Sequence, residues 1–504
     1  MSIAKPSAIY SLSSMLSKIS GFVRDLFLAS FLGANVLADM FFIALRLPML
    51  FKSILTEETF NSAYIPIYSR LSASGELDRK YQFAKRILFY LIYFFVPVIM
   101  IVEVFMPNIV AILAPGITEE TDVNTLITIA RIMFPYLIVI IISSVFMGSL
   151  NSDHKFALTA GLPIILNAML ICGIVFHPYL GGNKIIMLSW AVIFGGALQL
   201  GFLFYSTDSR FWHIFAYHKK NMPELAHFSK LVWPSILSSS GIQLNLTVNM
   251  ILASFFSGAV TYLHFAQRLY WLPIGIVGIA IGSVLIPKLS ESIRKGDLEA
   301  YTIQTNVFYY CNIIILPAAI GLGLTSDLII SCLFQRGEFG ITAVKNTSSI
   351  LQILSLGLPA AVFIKILTPY FFAIEKPKIP MKITGITVVS NLALTLLLYK
   401  FLGYLAIPTA LTIAAWINFV LLLKAHKKFG FSPLNGGGDR KLMIICIFSL
   451  FLGIEIYTCK TLLSEYAPIV NLLLCMLTAI FFWVIFIYFS DKKIVNYCVR
   501  LVKG

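Results

Sequence analysis

The chain has 504 residues, of which 59% are hydrophobic and 12% charged, and its mean hydropathy is +0.88. Soluble domains carry about 25% charged residues, so a soluble globular fold is excluded and the chain reads as a polytopic membrane protein. The net charge of +15 would suggest nucleic acid in a soluble protein, but its distribution, described below, excludes that reading.

A membrane span needs about 20 apolar residues. Fourteen stretches qualify, at roughly 8–32, 36–66, 86–106, 126–150, 156–177, 184–206, 230–256, 260–287, 304–324, 347–374, 380–400, 405–424, 441–459 and 467–490. Helices are the expected form, because an open strand cannot satisfy its backbone in lipid. Lys18 and Arg24 interrupt the first stretch, which therefore does not read as a cleavable signal. Orientation follows from Lys and Arg, which are retained on the cytoplasmic side. With the N-terminus inside, 26 of the 38 fall in cytoplasmic segments, five in outer segments and seven within spans. That bias puts both termini in the cytoplasm and accounts for most of the positive charge. The seven cysteines lie mostly in apolar segments without paired C-x-x-C spacing, so they read as small buried residues rather than disulfides or metal ligands.

The chain also repeats itself. Ala44-Leu45-Arg46-Leu47 parallels Ala266-Gln267-Arg268-Leu269, and Ile65-Pro66 with its polar tail parallels Ile286-Pro287. Leu113 to Gly116 parallels Leu333 to Gly337, Pro135 parallels Pro359, and Asn167 parallels Asn391, all at an offset near 220–224. An even number of spans separates equivalent points, so the halves share orientation and form a parallel repeat. The expected architecture is all-α, with 14 transmembrane helices. A six-helix lobe at 1–206 is followed by a second at 207–430. Residues 431–504 supply a glycine-rich linker and a further helix pair.

The first two spans are unusual in charge. Between Gly21 and Pro66 lie Arg24, Asp25, Asp39, Arg46, Lys52, Glu57 and Glu58. Each ionised side chain at bilayer depth costs about 2.5–3.5 kcal/mol, so these groups must face one another or line a water-filled cavity. Lys18 and Asp25 are seven residues apart and share a helix face, whereas Arg24 points elsewhere on an ideal helix, although Gly21 permits local bending. Asp39, Arg46 and Glu57 also share a face, with Pro48 offering a kink. The functional reading is a cationic pocket for an anionic headgroup, its carboxylates holding the cations when empty. The bland reading is a set of interhelical ion pairs that only fix packing. Transporters built from two such halves bind substrate between them, so the repeat predicts that Arg46 and Arg268 face one another across a central cleft. Arg131 and Lys365 lie near span ends, where each could snorkel instead. Ser238, Ser239, Ser240, Gln243, Asn245 and Asn249 form a polar stripe on the seventh span, for cleft lining, helix packing or an ion. No histidine has metal-ligand spacing, and no nucleophile–base pair or P-loop is present. Neither a catalytic residue nor a metal site is therefore assigned.

Several stretches carry a family resemblance. G-F-V-R-D at 21–25, A-D-M-F-F-I-A-L-R-L-P at 38–48, F-N-S-A-Y-I-P at 60–66 and A-P-G at 114–116 resemble the MurJ (MviN) lipid II flippases. So do F-A-Q-R-L at 265–269, G-I-V-G-I-A-I-G-S-V-L-I-P at 275–287, L-F-Q-R-G at 333–337 and K-I-L-T-P-Y-F at 365–371. That family belongs to the multidrug/oligosaccharidyl-lipid/polysaccharide exporter superfamily, and the resemblance runs through nearly the whole chain. It implies a bacterial inner-membrane protein that moves lipid II, the undecaprenyl-diphosphate-linked disaccharide peptide, to the outer leaflet by alternating access. It further implies a cationic cavity and a final helix pair that grooves the lipid tail. The family's cavity positions fall on Lys18, Arg24, Asp25, Asp39, Lys52 and Arg268; Arg46 joins them from the repeat. Positions 18 and 52 are often Arg in the family and are Lys here, and Trp271 stands where an acid is often found. Some members bind sodium through carboxylates on the seventh and eleventh spans. Asn391 fits that pattern, while Asn249 and Thr395 occupy the acids' places. No cofactor is implied; coupling to sodium, to protons or to the membrane potential stays open. The expected partners are lipid II, membrane lipids and cell-wall synthesis proteins, around a monomer. Rival readings are a flippase for another polyprenyl-diphosphate glycan, a drug exporter of the same superfamily, and a membrane enzyme acting on polyprenyl phosphates. An exporter of organic cations would favour acidic cavity residues, and this set leans basic.

Overall fold

The computed structural model describes residues 4–52, 59–207, 222–280, 289, 291–292, 299–429 and 438–490. Glu57, Glu58, the Ile286-Pro287 motif and residues 431–437 of the expected linker lie outside them, as do the side chains of Ser238, Ser239 and Ser240. Among the described residues the regular structure is helical, with no strand. Nine stretches there are long and apolar enough to cross a membrane. The leading helices of each expected half are not among the nine. Charged side chains interrupt the helix Ala4–Leu32, and the helix Val36–Lys52, at 17 residues, is short.

The chain forms two compact units, Met1–Thr261 with Arg336–Phe339, and Tyr262–Gln335 with Gly340–Gly504. The first unit holds α1 (Ala4–Leu32), α2 (Val36–Lys52), α3 (Thr59–Ala73), α4 (Leu77–Val104) and α5 (Met106–Leu113). It continues with α6 (Glu120–Met133), α7 (Tyr136–Ser152), α8 (Phe156–Leu180), α9 (Lys184–Ser206) and α10 (Pro223–Ala253). The chain passes to the second unit within α11 (Ala259–Ala280). The second unit then holds α12 (Glu299–Leu324), α13 (Ser326–Phe334), α14 (Ile341–Ala373), α15 (Lys378–Leu402), α16 (Ala406–Lys428), α17 (Gly438–Leu462) and α18 (Pro468–Ser490).

In the first unit α1 packs along α8, α8 along α9, and α7 against both α4 and α9. Its core gathers Tyr64, Tyr68, Phe83 and Phe146, all buried, with the Tyr64 ring stacked on Tyr68 and Phe83. Burying a tyrosine needs a partner for its hydroxyl, and Tyr64 Oη lies 2.7 Å from Ser149 Oγ. Lys80 is also buried in this region. Its ammonium donates to Asp153 (2.8 Å) and Ser72 (3.2 Å) and lies over the Tyr68 ring. In the second unit α14 is the central helix, flanked by α12 and α16, with Phe308, Phe363 and Phe371 in the core. The last pair, α17 and α18, packs on α12 and α13. Lys460 fastens it by donating to Asp327 (2.6 Å) and to the Leu324 carbonyl (2.8 Å).

The helix boundaries reproduce the sequence repeat. The starts and ends of α4, α5, α8 and α9 precede those of α12, α13, α15 and α16 by 220 to 222 residues. Together α6 and α7 span the equivalent of α14. They are broken at Phe134-Pro135, where α14 runs on through Pro359. The short helices α5 and α13 were not among the expected spans. At 8 and 9 residues they are too short to register as membrane-crossing segments.

Two glycine-bearing loops behave alike. The loop after α13 lays Gly337 against the end of α1, where a Cβ would lie 2.3 Å from the Ser30 carbonyl oxygen. Gly337 has φ +55, and the neighbouring Glu338 amide donates to that same carbonyl at 2.9 Å. The loop after α5 lays Gly116 against the end of α10, where a Cβ would lie 2.3 Å from Ser254 O and Phe255 N. The Gly116 amide donates to Ser254 Oγ at 3.2 Å. Each loop thus meets the end of the helix that leads the opposite half of the repeat, and only glycine allows the approach. Lys184 ties the first of these contacts by donating to both Glu338 (3.1 Å) and the Phe31 carbonyl (3.3 Å).

Candidate functional site

The candidate residues stand on α1, α2 and α11. On α1, Asp25 is fully buried. A buried carboxylate is tolerated only when it is paired, and one partner is its own neighbour. Arg24 donates to Asp25 Oδ1 from Nε (3.0 Å) and from Nη2 (2.6 Å). The helical wheel separates adjacent residues by about 100°, and the long arginine stem folds back across that angle. Arg24 thus meets Asp25 although the ideal helical wheel sets the two apart. Arg24 also donates from Nη1 to Asn167 Oδ1 (3.0 Å) on α8. The Arg24 side chain keeps 14% of its surface accessible. Lys18 is exposed on the same helix.

On α2, Asp39 is buried, but its partners are not cations. Its Oδ2 accepts from the Gly258 amide (2.6 Å), and its Oδ1 from the Thr261 amide (2.8 Å) and hydroxyl (2.7 Å). These groups open α11, the helix that carries Arg268. A carboxylate there satisfies donors that have no partner within the helix and meets the positive end of its dipole. The sequence expectation that Asp39 holds a cation in the empty state is therefore corrected. Spacing marked Asp39 as buried charge, but gave no sign that a helix start more than 200 residues away would take it. Arg46, half-buried on α2, donates to Gln243 Oε1 on α10 (3.1 Å). One member of the polar stripe is thus an arginine partner. Farther along the stripe, Asn249 donates to Asn245 at 3.2 Å. Lys52, half-buried, ends α2.

In the second unit Arg268 is exposed on α11. Lys365, one of the two undecided cations, lies beside the same helix, its Nζ 3.3 Å from where a Cβ on Gly278 would sit. Arg131 is exposed on α6. Asn167 is a candidate-site residue that the sequence marks only as a repeat partner of Asn391, although an amide within an apolar span is itself a signal of a polar partner.

Chemically, the α1 and α2 residues offer two guanidinium groups, Arg24 steadied by a buried carboxylate and an amide and Arg46 by an amide, together with the Lys18 and Lys52 ammonium groups. Such donors hold oxyanions, and arginine in particular matches phosphate geometry.

Comparison with known proteins places these features in context. Residues 28–477 match the family model described as "Lipid II flippase MurJ". A "Probable lipid II flippase MurJ" of Rhizobium tropici is 32% identical over 459 residues, covering 90% of this chain and 86% of the relative. A protein of the same description from Rickettsia prowazekii (strain Madrid E) is 31% identical over 510 residues, covering 99% of each. Among solved structures, "Lipid II flippase MurJ, inward closed conformation" matches with a TM-score of 0.83 at 23% identity, over 97% of this chain and all of that one. An inward-facing multidrug resistance MATE family transporter of the MOP superfamily matches with a TM-score of 0.65 at 14% identity, over 87% of this chain and 98% of that one.

Proposed function

Because the chain belongs to the MurJ family of lipid II flippases, we propose that it carries lipid II from the cytoplasmic to the outer leaflet by alternating access through a cationic central cavity. The family is one of transporters rather than enzymes, and the chain is a multi-pass protein of the bacterial inner membrane. The observation that carries the proposal is the family match over residues 28–477, supported by the pairing of Arg24 with the buried Asp25 on α1.

In this reading both termini are cytoplasmic and fourteen helices cross the membrane. Lobes at 1–206 and 207–430 move against one another, and the pair at 431–504 grooves the polyprenyl tail. Arg24, Arg268, Lys18 and Lys52 contact the diphosphate and headgroup, and Arg46 lines the cleft opposite Arg268. Asp25 holds Arg24 when the cavity is empty. Asp39 serves by fixing the start of α11 rather than by releasing a cation. Transport draws on the membrane potential, worth about 2.3 kcal/mol per charge per 100 mV, or on a sodium or proton gradient. The protein works as a monomer, alongside cell-wall synthesis proteins.

The test is complementation. A bacterium depleted of its own lipid II flippase should grow and expose lipid II on the outer leaflet when it expresses this chain. Arg24→Ala and Arg268→Ala should each fail at equal membrane abundance. Failure of the well-inserted wild type would move the substrate to another polyprenyl-diphosphate glycan. Rescue by both variants would remove the assigned site.

A further inference from the structure

We infer that Asn167, set by Ser20, is a positioning residue that aims Arg24 at the phosphate of the substrate. The inference rests on the proposed role of Arg24 in headgroup binding.

Counting protons fixes the direction of each hydrogen bond. Ser20 Oγ donates its single proton to the Ser17 carbonyl at 2.8 Å. A hydroxyl has one donor, so its oxygen is left to act only as an acceptor. Asn167 Nδ2 lies 2.9 Å from that oxygen and donates to it. An asparagine amide that turns its nitrogen one way turns its oxygen the other, and Asn167 Oδ1 accordingly accepts from Arg24 Nη1 at 3.0 Å. Asn167 is 5% exposed, so no bulk water competes for either end. The orientation of the amide is thus fixed from both ends, because Ser20 Oγ is left only to accept and the Arg24 guanidinium can only donate.

The consequence for Arg24 is specific. A guanidinium has five N–H donors. Asp25 takes one from Nε and one from Nη2, and Asn167 takes one from Nη1. Two remain, one on each terminal nitrogen, on a group held from two sides. A free arginine must be ordered by its ligand, and that ordering opposes binding. Here the ordering is already done. Asp25 alone would leave the guanidinium held through a single oxygen, about which it can swing. Asn167 removes that freedom, so its effect on binding is exerted wholly through Arg24.

The experiment is a double-mutant cycle on the full chain in nanodiscs, with farnesyl diphosphate as the probe. Asn167→Ala should weaken binding about tenfold, the scale of one hydrogen bond to a charged group. Arg24→Ala should weaken it at least as much, and the double variant no more than Arg24→Ala. Ser20→Ala, which removes the anchor of the amide nitrogen, should give a smaller loss that also vanishes in the Arg24→Ala background. Should Asn167→Ala fail to fold by thermal unfolding, the Ser20→Ala cycle decides. Losses that add in full would make Asn167 a packing residue and overturn the inference, as would unchanged affinity in Asn167→Ala beside a weakened Arg24→Ala. Unchanged affinity in Arg24→Ala would instead remove the headgroup role of Arg24, and the inference with it.

Discussion

Two side chains show how differently a buried charge can be spent. Lys80 reads in the sequence as one more basic residue after a polar turn, counted toward orientation. In the fold it is buried, paired with Asp153 and covered by Tyr68. Lys80→Ala should therefore lower stability by about 1–3 kcal/mol, read as a fall in the thermal midpoint, whereas Lys155→Ala, at an exposed position, should leave the midpoint in place. Asp39 makes the opposite case. Its importance was legible from its burial in an apolar span, but its partner was not. Asp39→Ala removes three hydrogen bonds from the opening of α11 and should cost about 1–2 kcal/mol. Hydrogen exchange at the Gly258 and Thr261 amides should accelerate, while amides in the middle of α14 stay protected. Asp39→Asn, which keeps an acceptor, should lie between wild type and alanine.

Among the elements, the loops after α5 and α13 do what helices cannot. They bring backbone against backbone at the ends of α10 and α1, with no room for a Cβ. Gly337→Ala and Gly116→Ala should each part its contact and increase thiol labelling of a nearby cysteine, introduced as Ser30→Cys or Ser254→Cys respectively. Gly340→Ala has open space around its Cβ and should leave both reporters as they are. These motifs, A-P-G at 114–116 and Q-R-G at 335–337, were visible as parallels in the sequence. What could not be read was that each serves the leading helix of the other half. That pairing joins residues more than 100 apart, and the local pattern carries no record of it. The break between α6 and α7 is a similar lesson. Proline at 135 and at 359 matches in the alignment of the halves, yet only the first ends a helix. Proline removes one hydrogen bond, and the surrounding packing decides whether the helix continues.

At the scale of the whole molecule, the proposed transport cycle requires the α1 end and the 336–339 loop to separate, since both fall on the expected outer side. A disulfide between Ser30→Cys and Glu338→Cys should therefore stop exposure of lipid II on the outer leaflet, and reductant should restore it. Transport that continues with the pair cross-linked would exclude this contact from the cycle. The C-terminal pair should behave as a separate attachment. Lys460→Ala removes the donor to Asp327 and Leu324 and should raise proteolytic cleavage between α16 and α17 without abolishing insertion of the rest.

Composition alone determined that this chain lies in a membrane, because no soluble fold tolerates so much apolar surface. The lysine and arginine bias was sufficient to propose an orientation. The constant offset between motifs revealed the repeat, which the helix boundaries of α4 to α9 and α12 to α16 reproduce. The same pattern located the charged helices, since ionised groups are expensive in lipid and stand out against an apolar background. Tertiary structure alone decided which charge meets which partner. Arg24 turns to Asp25 and Asn167, Asp39 to the first turn of α11, Arg46 to Gln243, and Lys80 to Asp153. Those choices depend on hydrogen-bond geometry at distances of about 3 Å, between residues that are mostly far apart in the chain, and spacing along one helix cannot supply it.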